Sequence, residues 1–151
     1  MRIYLLAACL AAATVSAATN PLFRFPEATS LNGRWNGVNL ELRSNCRTPE
    51  NNGSRGTYAQ FDVVADTQGN LAITQSGITG LNCSYSGRSQ LVGGRLAWQG
   101  SYSCSDGKRG DFQSTAIEQH ALSVDIRLAT QLTSSEGCAI DAILSMARFP
   151  G

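Results

Sequence analysis

The chain has 151 residues, 42% of them hydrophobic and 15% charged, with twelve Lys plus Arg against eleven Asp plus Glu. That length suits one domain with a core of its own, and the near-zero net charge argues against a general nucleic-acid binder or a binder of anionic membranes. Five cysteines and one histidine, with no paired C-x-x-C and no His-rich spacing, point to no metal site and no cofactor.

In chain order, the N-terminus comes first. Arg2 precedes an apolar run from Ile3 to Val15, and Val15-Ser16-Ala17 and Ser16-Ala17-Ala18 offer small-residue cleavage sites, so residues 1–18 read as a secretory signal peptide. A permanent span needs about 20 apolar residues, so no stable membrane insertion is expected. Leu6-Ala7-Ala8-Cys9 resembles a bacterial lipobox whose cysteine would carry a lipid. Only six residues separate Arg2 from Cys9, however, where an h-region takes about 7–15. The expected destination is therefore secreted or periplasmic. Loss of Arg2 leaves eleven Lys plus Arg against eleven Asp plus Glu.

Thr19 to Ser30 follows as an N-terminal arm. Its Pro21-Leu22-Phe23-Arg24-Phe25-Pro26 suits an extended segment, which either inserts into a partner's cleft or plugs one end of the domain formed by residues 31–151. From there on, period-two alternation replaces any helical stripe. Ala59, Phe61, Val63 and Ala65 alternate with Tyr58, Gln60, Asp62 and Val64; Leu122, Val124, Ile126 and Leu128 alternate with Ser123, Asp125, Arg127 and Ala129. With turn signals as boundaries, strands are expected at Gly33 to Ser44, Gly56 to Ala65, Asn70 to Gln75, Gly80 to Leu91, Arg95 to Cys104, Arg109 to Ile117, Ala121 to Gln131 and Cys138 to Phe149.

Gly93-Gly94 carries the most information among the turns. A two-residue hairpin there sets Leu91 opposite Leu96, Ser89 opposite Trp98, Gly87 opposite Gly100, Tyr85 opposite Tyr102 and Cys83 opposite Cys104. The cysteine pair falls at a non-hydrogen-bonded position, where Cα atoms come within about 4.5 Å, inside disulfide range. Short connections between consecutive strands make a meander, and eight such strands close most economically into a single up-and-down antiparallel barrel, an all-β fold. A β-sandwich is the alternative arrangement.

Closure brings the four cysteines outside the signal segment to one mouth. The simplest pairing is Cys83–Cys104 with Cys46–Cys138, because the last strand neighbours the first only in a closed barrel. Cys46–Cys83 with Cys104–Cys138 requires the loops to reach across the rim, and sequence alone does not choose among the pairings. Either way, two disulfides imply an oxidising compartment.

Leu31-Asn32-Gly33-Arg34-Trp35 places a Gly-x-Trp at the start of the first strand, and Arg148 falls late in the last. This pattern resembles the calycin group: lipocalins, avidins and the small bacterial metalloprotease inhibitors. The resemblance implies that Arg148 packs across Trp35 at the closed end, a contact that suits a guanidinium and an indole face. The chain departs from lipocalins in lacking a helix after the last strand. It departs from avidins in having only Trp35 and Trp98, which argues against biotin. Size, export and an N-terminal segment match the inhibitors better, although two disulfides and a longer chain do not.

Two kinds of binding site fit such a body. Tyr85, Trp98 and Tyr102 share a face with Leu91 and Leu96 and are expected to point inward, with Gly87 and Gly100 leaving space beside Trp98 for a small ligand. The longest connection, Asn45 to Arg55, lies at the cysteine-rich mouth. There Arg43, Arg47 and Arg55, with Lys108 and Arg109 from another rim loop, could meet an anionic group, or could form a solvated rim balanced by Glu50, Asp106, Asp111 and Glu136. A small-ligand binder is the first expectation. A protein-directed inhibitor or interaction module using the rim loops or the arm is the alternative. Catalysis finds little support: His120 falls in a turn, no nucleophile elbow is present, and the carboxylate pairs Asp62/Asp66 and Asp106/Asp111 sit at strand ends or in loops.

Overall fold

A computed structural model of the chain describes residues 28–120, 122–132 and 137–148. The signal peptide, Cys9, the first part of the arm up to Glu27 and Phe149 lie outside these residues. Eight strands follow one another: β1 (Gly33–Ser44), β2 (Gly53–Ala65), β3 (Asn70–Gly77), β4 (Asn82–Val92), β5 (Arg95–Cys104), β6 (Arg109–Gln119), β7 (Ser123–Leu132) and β8 (Ala139–Ala147). Each pairs antiparallel with the next, and β8 returns to β1, so the sheet is a closed barrel and not a sandwich.

Register follows from the hairpin chemistry. Gly93 and Gly94 both take positive φ, 57° and 78°, which is the type I′ geometry that matches strand twist. The ladder above this turn runs from Val92↔Arg95 through Gly87↔Gly100 to Cys83↔Cys104. Leu91, at the hairpin tip, projects past the barrel and is 60% exposed. Alternation divides core from surface within the strands: Ala59, Phe61, Val63 and Ala65 are buried on β2, and Val124, Ile126 and Leu128 on β7, whereas Leu122, expected inward with them, precedes β7 and is 54% exposed.

The strand ends differ from expectation in instructive places. β2 starts at Gly53, shortening the rim connection to 45–52, because Gly53, Ser54 and Arg55 pair with Arg43, Leu42 and Glu41. Ala28, Thr29 and Ser30 do not continue an extended arm; with Leu31 they form a 3-10 turn. This turn lies at the end opposite the cysteines. There Leu31 is buried, the Trp35 indole N–H donates to the Leu31 carbonyl at 2.8 Å, and the Arg148 guanidinium sits 4.0 Å over the Trp35 ring. Arg148 also donates to the Asn32 carbonyl. One side chain thus ties the last strand to the entry of the first.

The opposite rim is fastened covalently. Cys46–Cys138 joins the connection after β1 to the residue before β8, and Cys83–Cys104 joins β4 to β5, both with Cα atoms 4.0 Å apart. Two disulfides belong to an oxidising environment. No described helix is long and apolar enough to cross a membrane.

Candidate functional site

Inward-facing side chains change character along the barrel axis. Toward the closed end they are apolar: Trp35, Phe61, Leu71, Ile73, Trp98, Val124, Ile126, Leu144 and Met146 are all buried. Toward the mouth, the inward positions of β1 carry Asn39, Glu41 and Arg43, and Gln75 projects from β3. Tyr85 and Tyr102 stack on each other from β4 and β5, with ring centroids 5.7 Å apart.

These polar groups form one network. The Asn39 amide nitrogen donates to Gln75 Oε1 at 3.1 Å and Tyr85 O–H donates to the same oxygen at 3.3 Å. Arg43 is 4% exposed and holds the Glu41 carboxylate through Nη2 at 2.7 Å and Nε at 3.0 Å. Burial, and secondly the Glu41 charge, push the Tyr85 hydroxyl well above its ordinary titration range. Among the described residues, Asn39 Oδ1 and Gln75 Nε2 are buried without a hydrogen-bond partner. One is an acceptor and the other a donor. Such groups normally find partners, and each left unmet costs about 1–3 kcal/mol.

Above the network lies a cavity of about 20 Å³, lined by Glu41, Leu81, Tyr85, Tyr102, Lys108 and Phe112 among others. That volume accommodates about one water-sized group. Lys108 is ion-paired with Asp106 in the turn between β5 and β6. Desolvation works against the Asp106 carboxylate, but hydrogen bonds and charge from Lys108 outweigh it and hold the group below its usual range.

Of the three aromatic and five cationic candidates named from sequence, Tyr85, Tyr102 and Lys108 border this cavity. Trp98 does not; it is 1% exposed, its ring lies 4.3 Å from that of Phe112, and its indole N–H donates to the Leu71 carbonyl. Arg47, Arg55 and Arg109 are exposed on the rim. The five expected cations are therefore divided, with Arg43 turned into the barrel and Lys108 half-buried.

The expected space beside Trp98 is absent. Gly87 and Gly100 face each other so closely that an added Cβ would stand 1.9 Å from the Gln99 carbonyl oxygen or 2.0 Å from that of Ser86. The pair lets the two backbones approach closely and leaves no room for a ligand. A groove of about 980 Å³ lies on the outer surface, lined by Ser86, Arg88, Gln99, Ser101, Asp111 and Gln113 with others. It is larger than the mouth cavity, but it is open, and its side chains are mostly solvated.

Sequence reasoning missed Asn39, Glu41, Arg43 and Gln75 as interior residues. The signal was present: Trp35, Gly37, Asn39, Glu41 and Arg43 share one parity, so an inward Trp35 carries all of them inward.

No protein-family model matches the sequence, and no curated protein matches it. Among solved structures, it is similar to a de novo fluorescence-activating β-barrel, with TM-score 0.50 and 14% identity over 82% of this chain and 100% of the other. It is also similar to the barrel EF1p2_mFAP2b, solved bound to DFHBI, with TM-score 0.50 and 11% identity over 79% of this chain and 94% of that one. At these identities the likeness is one of fold.

Proposed function

We propose that this is an exported binding protein, secreted or periplasmic, that takes a small ligand at the disulfide-fastened mouth of its barrel and performs no chemistry on it. The observation that carries this reading is the polar interior below the mouth. A barrel can fill its centre with apolar side chains, yet this one buries Asn39 Oδ1 and Gln75 Nε2 without partners beside two tyrosine rings. A ligand donor and acceptor entering past Tyr85, Tyr102 and Lys108 would meet those needs. The cavity volume limits the inserted part to a single small polar group, with the remainder of the ligand resting on the rim. EF1p2_mFAP2b, a barrel of similar fold, holds the small molecule DFHBI.

Native mass spectrometry of the oxidised chain, compared with the same sample denatured, tests this reading. A mass excess under native conditions is expected, and it should disappear in a variant carrying Asn39→Leu, Gln75→Leu and Tyr85→Phe together. A bare chain that remains bare after incubation with extract of its own secretion medium overturns it. The second reading is a protein-directed module. It draws on Leu40 and Leu42 of β1, Tyr58 of β2 and Ile78 after β3, which are exposed large apolar side chains on the outer wall.

A further inference from the structure

We propose that the group received at the mouth is a neutral primary carboxamide borne on a planar, apolar stem. This assignment rests on the mouth being the ligand site, and it follows from the order in which donors and acceptors are fixed there. Asn39 Nδ2 faces three acceptors: Gln75 Oε1 at 3.1 Å, Glu41 Oε1 at 3.4 Å and the Tyr85 hydroxyl oxygen at 3.4 Å. The Glu41 carboxylate, ion-paired with Arg43, only accepts, so the nitrogen of Asn39 and not its oxygen points this way. Gln75 is set in turn. Its Oε1 accepts from Asn39 and from Tyr85, and exchanging its oxygen and nitrogen would set N–H groups of the two amides against each other.

The remaining arms therefore have fixed roles: Asn39 Oδ1 accepts and Gln75 Nε2 donates. The reciprocal bond between them, which would close the amide pair, is not made, and both atoms are buried without a partner among the described residues. A carboxamide answers both, its carbonyl accepting from Gln75 Nε2 while its own N–H donates to Asn39 Oδ1. A carboxylate offers acceptors alone and an amidinium donors alone, so each would leave one buried arm facing its own kind. Charge selects in the same direction. Among the described residues lining the cavity, Glu41 and Lys108 are the charged ones, and each is already ion-paired, with Arg43 and with Asp106. An entering ion would lose its water without gaining a counter-ion.

Tyr85 marks the way in. Its ring lines the cavity, stacked on Tyr102 and edge-on to Phe112 at 6.0 Å. Its hydroxyl reaches both amides through contacts of 3.3 and 3.4 Å, longer than the roughly 3.0 Å of a well-made hydrogen bond. These long contacts are the ones an entering head group replaces. The cavity holds about one water-sized group, and the place of the Tyr85 hydroxyl adds room for a second polar atom, as a carboxamide needs. The rings and Leu81 then offer the stem an apolar surface.

Benzamide, benzoate and benzamidine share one shape and differ in this pattern alone, so titrating the oxidised chain with each tests the assignment. The side-chain NH2 signals of Asn39 and Gln75 in proton–nitrogen NMR report the two arms. Benzamide should move both signals and bind at least about tenfold more tightly than either ion. Gln75→Met, which removes the donor and keeps the side chain's length, should abolish that preference; the comparison on the parent stands whether or not this variant folds. Equal binding of the three, tighter binding of an ion, or benzamide binding that leaves the Gln75 signal in place overturns the carboxamide. Binding by none of the three overturns it as well: a native mass excess would then preserve the mouth as the ligand site, and a bare chain would remove both.

Discussion

The two halves of the barrel interior are built on different terms. At the closed end, large apolar side chains interlock and the indole N–H groups among them are met: Trp35 by the Leu31 carbonyl and Trp98 by the Leu71 carbonyl. At the mouth, an ion pair, two amides and two tyrosines occupy the same cylinder, Asn39 Oδ1 and Gln75 Nε2 are unmet among the described residues, and both disulfides are found there. The difference teaches how the two ends are held. Apolar burial fills one end, whereas two covalent crosslinks fasten the end whose interior is polar, the end to which the proposed ligand is assigned.

Removing a side chain from the apolar half should have the largest effect. Trp98→Ala is expected to lower unfolding free energy by about 3–5 kcal/mol, measured by denaturant titration under oxidising conditions; a loss below about 1 kcal/mol would mean that the closed end is not the stabilising half. Next comes the crosslink at the mouth. Cys46→Ser with Cys138→Ser should cost about 2–4 kcal/mol by constraining the unfolded chain less. Trp98 fluorescence in the folded state should stay unchanged, since the indole lies in the other half.

The polar network predicts the opposite sign. Converting it as a unit, with Asn39→Leu, Gln75→Leu and Tyr85→Phe, replaces unmet buried groups by apolar ones and should leave the fold as stable as before or up to about 3 kcal/mol more stable, while ligand retention is lost. Destabilisation of this triple variant would show that the network is a structural requirement of the mouth.

The smallest effect is confined to alkaline solution. Tyr85 titrates higher in the fold than its ordinary value near 10 because burial and Glu41 disfavour the phenolate. Its stabilising contribution is thus whole below pH 10 and declines as pH rises from there toward the folded value. Thermal midpoints of the parent should fall above about pH 10, and those of Tyr85→Phe should fall less; parallel curves would remove Tyr85 as the cause.

Much of this was legible from residues alone, and the reasons are local. A two-residue Gly-Gly turn fixes its own register, so Cys83–Cys104 and the facing glycines follow from counting outward. Period-two alternation places Phe61, Val63, Ile126 and Leu128 inside without reference to any other strand. What Gly87 and Gly100 do was not legible, because a missing Cβ marks both an empty space and a close backbone contact, and only the approach of Ser86 and Gln99 separates the two.

By itself, then, the amino-acid sequence determined a meander of half-buried strands, a hairpin register and one mouth for four cysteines, all consequences of short-range spacing. Closure of β8 on β1, the choice of Cys46–Cys138 as the second crosslink, the inward turn of Arg43 onto Glu41 and the filling of the space around Trp98 were decided only in three dimensions. Each of these depends on distances between residues far apart in the chain, and such distances exist only once every strand has settled against its neighbours.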